Sequence, residues 1–390
     1  MPKQTLKKRS DGRLQKQIYL GTDENGKRIY KTLYARTQKE LNQKYEELML
    51  QINRGLDIFA QKDTFGTWAE RYIKSKETTI SYRSVACIRS SVKHFSPLYN
   101  LPLSKIKPQH IEDILNNLAT RESRPLSKKS LTDLRNIAYG IFRLAIKNRI
   151  IDFNPASVVD IPKGKTKSKR TAITDEQIQW IKDTPHNAQT SAMIMLYAGL
   201  RRGELIALTW NDIDFRNKTI LINKSAEFID NKAVVKPMTK TQAGMRLISI
   251  PEVLVSYLKR CEKKSLIVCT INGDIMTEGQ FRRMWESYMS VLNEKYGNFG
   301  IDKTAFKKNG EIKSRFAPGG LPTKIETFTP HQLRHTYASM LYKAGIDVLT
   351  AKEQLGHSDI KTTLNIYTHL DSNYKTRCME KLDEYIEASS

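Results

Sequence analysis

Apolar positions change their spacing twice along the chain. In LQKQIYLG and IYKTLYA they alternate with basic or polar residues, the period of strands that have one covered face. Between them TDENGKR contains Asn25-Gly26, a dipeptide suited to the two positive φ angles of a type I′ turn, so a two- or three-stranded sheet is expected. Thr37 and Glu40 form a capping-box pattern ahead of Leu41, Tyr45, Leu48 and Ile52, which predicts a helix over one face of that sheet. From Thr64 to about Asp160 the period is helical throughout: FGTWAERYI, SYRSVACIRSSVKHF, a helix started by Pro108, and a long one aligning Leu131, Leu134, Ile137, Ile141 and Leu144. A second capping-box pattern, Thr174 and Gln177, opens a mixed region. There a helix at SAMIMLYAGLRRGELIAL precedes β-branched runs at KTILIN, KAVVK and MRLISIP, and helices follow to the end. Residues 296–322, rich in Gly and Lys, show neither period and read as a surface insertion.

These patterns describe a multidomain α+β chain. A small N-terminal three-stranded basic sheet with its helix occupies 1–62 and an all-helical domain 63–160; a basic linker, 161–170, leads to a mixed α/β domain over 171–390. At 39% hydrophobic and 27% charged residues the chain has no apolar run near bilayer length, and MPKQTLKKRSDGR lacks the apolar stretch of a secretory signal. A cytoplasmic protein is the expectation. Cys87, Cys261, Cys269 and Cys378 stand far apart without a CxxC pair, which points to reduced, mostly buried thiols.

Charge adds a partner. The chain carries 65 Lys and Arg against 41 Asp and Glu, a net +24, which suits a polyanion such as nucleic acid. In the first 36 residues ten basic side chains oppose three acidic ones; Lys16, Lys27 and Arg28 would line a sheet able to enter a groove of duplex DNA. In KGKTKSKR, Lys163, Lys165, Lys167, Lys169 and Arg170 have nothing to bury and can run along phosphates. A solvated cationic surface without a partner would look the same.

Taken singly, the chemical motifs are weak. GLRRGEL puts Arg201 and Glu204 three apart, where the carboxylate can orient a guanidinium, as an ordinary ion pair would. Lys240, in TKTQAGMR between strand-like runs, should lie on a hairpin turn. HQLRHT places His331 and Arg334 on one helical face; LGHSDIKTTLNIYTHL ends a helix at Gly356 and sets His357 ten residues before Tyr367. Together they suit one reaction on a phosphodiester. Arg201 and Arg334 can hold the nonbridging oxygens of a trigonal-bipyramidal transition state. Lys240, its pKa lowered by nearby cations, can protonate a departing 5′ oxygen. Tyr367 can attack phosphorus if His331 takes its proton or the pocket is strongly cationic, and His357 can donate to a phosphate oxygen.

AGLRRGEL, TKT followed by GMRLISIP, TPHQLRHTYAS and LGHSDIKTTLNIYTHL occur in this order across 171–370, and the set resembles the tyrosine recombinase family of phage and conjugative-transposon integrases. By this resemblance Arg201, not Arg202, is the catalytic member of the doublet. The N-terminal sheet resembles the arm-binding domain of larger integrases and the helical segment their core-binding domain. Gln332 departs from the family pattern, which often has Asp between His and Leu. The resemblance implies a site-specific recombinase that integrates and excises a mobile element through a 3′-phosphotyrosyl intermediate and a Holliday junction. It implies no metal, no nucleotide and no other cofactor. A homotetramer would act on core and arm attachment sites in double-stranded DNA, with an excisionase and a host DNA-bending protein as possible partners. A C-terminal helix bearing Met379, Leu382 and Ile386 would dock on a neighbouring protomer or on its own domain. The sequence also lacks a GxxxxGK[ST] loop and a carboxylate or His cluster for magnesium or zinc. The competing readings are a chromosome resolvase or type IB topoisomerase, a purely architectural DNA binder, and a metal-dependent nuclease.

Overall fold

The protein is described by a computed structural model covering residues 7–8, 10–22, 26–56, 63–165, 171–238, 245–300, 307–308, 311–312, 320–368, 379, 383–384 and 386–387. It divides into two compact units, Met1–Ser168 and Lys169–Ser390.

In the first unit, β1 (Lys7–Lys8), β2 (Leu14–Thr22) and β3 (Arg28–Ala35) form an antiparallel sheet in that order, and α1 (Gln38–Asn53) covers one face with Leu41 and Leu48 buried beside Ile18 and Ala35. Thr37 caps α1 by accepting from Glu40 N. Asn25 of the expected turn lies outside the described residues. The open face is less purely charged than its sequence suggests, because Tyr19 and Tyr30 pair across the strands with ring centroids 5.5 Å apart. Lys16 is on the covered side, its ammonium 3.4 Å from the centre of the Tyr45 ring of α1. Lys27 and Arg28 are exposed near the β2–β3 connection.

The helices α2 (Phe65–Glu77), α3 (Tyr82–Val92), α4 (Pro108–Thr120) and α5 (Lys128–Lys147) share a separate apolar core. Their N-caps follow the sequence: Thr64, Ser81 and Ser127 each accept from the amide three residues on. Leu131, Leu134 and Ile141 of α5 are buried, joined by Ala138, Phe142 and Ala145. Lys163 and Lys165 are exposed, and Gly164 and Lys165 pair with Ser127, so the start of the basic run is held against α5 rather than hanging free. Lys167, Lys169 and Arg170 lie outside the described residues.

The second unit contains α6 (Asp175–Asp183), α7 (Gln189–Tyr197), α8 (Arg202–Ala207), β4 (Ile213–Asp214), β5 (Thr219–Ile222), β6 (Lys224–Ile229), β7 (Lys232–Pro237) and β8 (Arg246–Ser249). It continues with α9 (Glu252–Arg260), α10 (Glu278–Tyr296), β9 (Lys307–Lys308), β10 (Glu311–Ile312), α11 (Pro330–Lys343), α12 (Val348–Leu355) and α13 (Ile360–Thr368). The expected helix through SAMIMLYAGLRRGELIAL is two helices: Gly199 adopts φ 64, and a Cβ there would meet Tyr337 Cδ1 at 2.3 Å, so the chain breaks where α11 packs. The apolar runs do not form one ladder. β4, β5 and β8 make one antiparallel sheet while KAVVK, as β7, pairs with KSAEFI, a strand that its mixed polarity hid. The strands on either side of Lys240 therefore belong to different sheets, and the hairpin turn sits at Asp230-Asn231, φ 47 and 66. Within the expected insertion the short strands β9 and β10 pair with each other. Among the described cysteines only Cys269 is buried; Cys261 is half-buried, Cys87 is exposed, and Cys378 lies outside the described residues.

Candidate active site

Arg201 occupies the N-cap of α8, and the Glu204 carboxylate one turn on accepts from both its backbone amide (2.9 Å) and its Nη1 (2.8 Å). Glu204 is nearly inaccessible, at 1% side-chain exposure, whereas Arg201 keeps 42%. The carboxylate thus fixes a guanidinium that keeps partial access to solvent. A second arginine completes the arrangement: Arg246, the first residue of β8, donates Nη1 and Nη2 to the two Glu204 oxygens at 3.0 and 2.9 Å. Burial alone would raise the Glu204 carboxyl's pKa, but hydrogen bonds and charge from Arg246, followed by Arg201, bring it below the usual carboxylate range.

Arg334 projects from α11 and is buried, its Nη1 donating to Gly199 O. Burial first, then the Arg201 charge, pushes its pKa down to about 9, which leaves it protonated at neutral pH. His331, one turn earlier, is exposed at the mouth of a cleft of about 560 Å³ that Arg201, Arg334, Met195, Phe281 and Trp285 also line.

The three arginines meet at one helix end. α12 stops at Gly356 in the left-handed region (φ 64), leaving carbonyls without helical partners. Arg246 Nε donates to Gln354 O at 3.1 Å, Arg334 Nη2 to Leu355 O, and Arg201 Nη2 to Gly356 O. Three successive oxygens at the negative end of a helix hold three guanidiniums together, offsetting their mutual repulsion. His357 follows directly. Its pKa is pushed down to about 4, by burial first and then by Arg334, Arg201 and Arg246, so the imidazole is neutral at physiological pH. Nδ1 lies 2.9 Å from the hydroxyl of the buried Thr363; if that hydroxyl donates, Nε2–H is left as a donor.

The structure thus brings Arg201, Glu204, Arg334, His331 and His357 into one neighbourhood. Lys240 lies outside the described residues. Tyr367 is placed only by its backbone, in α13, which packs against α11 and α12. Sequence reasoning missed Arg246 and Thr363. For Arg246 the sequence shows only a basic residue opening the short strand RLIS, its carboxylate partner lying 42 residues away. Thr363 offered no signal. Among the described residues no group of His, Cys, Asp and Glu could hold a metal ion.

This architecture has relatives. The phage integrase family model matches residues 169–373, more than half of the chain, and a phage integrase SAM-like domain matches residues 64–165. The chain belongs to the phage integrase family. It is similar to a protein named tyrosine recombinase XerC-like from Caldanaerobacter subterraneus subsp. tengcongensis, 29% identical, over 94% of this chain and 95% of that one. It is also 27% identical to the ICEBs1 integrase of Bacillus subtilis, over 98% of this chain and all of that one. A solved structure of the Tn1549 transposon integrase in complex with transposon right-end DNA shares the fold at TM-score 0.62 and 21% identity, covering 82% of this chain and 99% of that one.

Proposed function

We propose that this tyrosine recombinase integrates and excises a mobile element, with Tyr367 as the nucleophile and Arg201, Lys240, His331, Arg334 and His357 serving the scissile phosphate. The observation that carries the reading is the gathering of two guanidiniums and a neutral imidazole around the end of α12, from which the chain runs into the helix bearing Tyr367. Arg201 and Arg334 bind the nonbridging oxygens, and His357 donates to one of them. The Tyr367 oxygen forms its bond to phosphorus as the bond to the 5′ oxygen breaks; His331 takes the phenolic proton and Lys240 supplies one to the leaving oxygen. The 5′ hydroxyl of a partner duplex reverses these steps on the phosphotyrosine. Because the ester conserves the bond energy, no nucleotide is consumed. Four protomers pass through a Holliday junction. Lys27, Arg28 and the neighbouring sheet contact arm sites, while the helical domain and the cations at 163–170 hold the core site.

A nicked suicide duplex containing the attachment core tests this. The wild-type chain should form a covalent protein–DNA adduct with EDTA present, and Tyr367→Phe should form none. An adduct persisting in Tyr367→Phe would overturn the assignment. Joining of two separate attachment sites distinguishes an integrase from a topoisomerase, which relaxes supercoils without pairing sites.

A further inference from the structure

Arg202, beside the catalytic arginine, has no part in the steps above; it lines the same cleft as Arg201 and Arg334, and its side chain has two partners of its own. The guanidinium lies 4.9 Å from the centre of the Phe228 ring of β6, and Nη2 donates to Glu278 Oε1 at 2.8 Å at the start of α10. Both partners bear on the β6–β7 hairpin. At its turn, Asn231 Oδ1 accepts from Gly279 N at 2.7 Å. Along β6 the backbone presses on α8 so closely that a Cβ on Gly203 would come within 2.6 Å of Ala226 O. At its open end Met238 N donates to Asn223 O at 2.8 Å, and Lys240 follows two residues on in the chain.

We infer that Arg202 is a positioning residue for strand cleavage: it ties the β6–β7 hairpin, from whose open end the chain runs on to Lys240, to the helix headed by Arg201. The inference rests on the reading of Lys240 as the acid for the 5′ oxygen. The Arg202–Glu278 pair is about one third exposed on both sides, at 32% and 37%, and such pairs contribute little to stability. Its geometry is the specific part: a planar guanidinium can lie on an aromatic ring while its edge meets a carboxylate, an arrangement a lysine does not reproduce.

A scissile phosphate whose bridging 5′ oxygen is replaced by sulfur provides the test. When Tyr367 attacks such a substrate, the P–S bond breaks and a thiolate leaves without needing a proton. Single-turnover cleavage is compared on the oxygen and sulfur duplexes, with DNA affinity measured alongside. Arg202→Ala and Glu278→Gln should each cleave the oxygen substrate roughly tenfold to a hundredfold more slowly than wild type, the scale of a small displacement of a catalytic group. Both should cleave the sulfur substrate at near wild-type rate with unchanged affinity. Arg202→Lys should behave as Arg202→Ala, and Arg201→Ala should stay slow on both substrates. Equal losses on the two substrates, no loss on either, or tighter DNA binding by Glu278→Gln would overturn the inference, the last by making Arg202 a phosphate contact. A Lys240→Ala variant that sulfur fails to rescue would remove the acid assignment and this inference with it. Rescue of Lys240→Ala beside an unrescued Arg202→Ala would remove the inference alone.

Discussion

Arg246 and Glu204, 42 residues apart, form a two-point ion pair at 3.0 and 2.9 Å with both side chains withdrawn from water, at 9% and 1% exposure. Glu204 is shared: the same carboxylate fixes Arg201, which retains access to solvent. Arg246 therefore acts on Arg201, the proposed phosphate clamp, at one remove, by holding the group that orients it.

Removing Arg246 leaves a buried carboxylate with Arg201 as its remaining hydrogen-bonded cation. Loss of one partner of a buried pair costs about 3–5 kcal/mol. Arg246→Ala should lower the unfolding midpoint clearly and reduce cleavage of the suicide duplex, while site binding, spread over many cations, changes little. Arg246→Lys keeps the charge without the fork and should fall between. Thermal unfolding and single-turnover cleavage check both, and an Arg246→Ala protein with wild-type stability and rate would contradict this account.

Gly356 should tolerate no side chain. Its φ of 64 disfavours L residues, and a Cβ would lie 2.7 Å from Arg246 Nη1. Gly356→Ala pays roughly 1 kcal/mol for the left-handed backbone alone, and the displaced guanidinium adds to that. Cleavage should fall at least about tenfold, because the carbonyls that gather the arginines shift with the helix end. Cleavage kinetics beside an unfolding curve separate the two effects.

How far the sequence reveals this site depends on the range of the contact. Arg201 with Glu204, and the end of α12 at Gly356, follow from spacing within one turn, so both were legible. The helical stripes of α4 and α5 were legible for the same reason, since periodicity is a local property. The α7–α8 break was harder: apolar residues continue through YAGL, and the chain turns at Gly199, φ 64, where Tyr337 leaves no room for a Cβ. β6 was hidden because KSAEFI carries a Lys and a Glu in a strand whose buried positions are Ala226 and Phe228. Arg246 needed the fold itself. Nothing within several residues of it points to a carboxylate; its partner sits in α8, 42 residues earlier.

Asn293 supports the approach to the cleft from outside it. Buried at 1% exposure in α10, it donates Nδ2 to Pro322 O at 2.9 Å and accepts Lys324 N at 2.8 Å and Ile325 N at 3.3 Å through Oδ1. This one amide pairs three backbone groups of the segment leading to Thr329 and His331, while Gln177 and Trp285 pair Glu326 O and Phe328 O further on. Asn293→Ala should destabilise by about 1–3 kcal/mol, the cost of leaving buried polar groups unpaired. Asn293→Asp keeps the acceptor but loses the donor to Pro322 O. Denaturant unfolding of the two variants should show both below wild type.

His357 provides a test based on pH. Its folded pKa, near 4, lies below the ordinary histidine value of 6.5, so the unfolded chain binds the extra proton first as the solution is acidified. The stability linked to this residue is therefore complete above about pH 6.5 and is lost as pH falls towards 4. In the DNA-free protein the imidazole ¹⁵N signals of His357 should stay those of a neutral ring down to about pH 5. The stability gap between wild type and His357→Gln should narrow over the same acid range. Thr363→Val, which removes the hydroxyl 2.9 Å from Nδ1, should leave the ring neutral but mix its tautomers. A ring that titrates near 6.5 in the wild-type protein would mean that burial and the three guanidiniums do not bear on it as the structure places them.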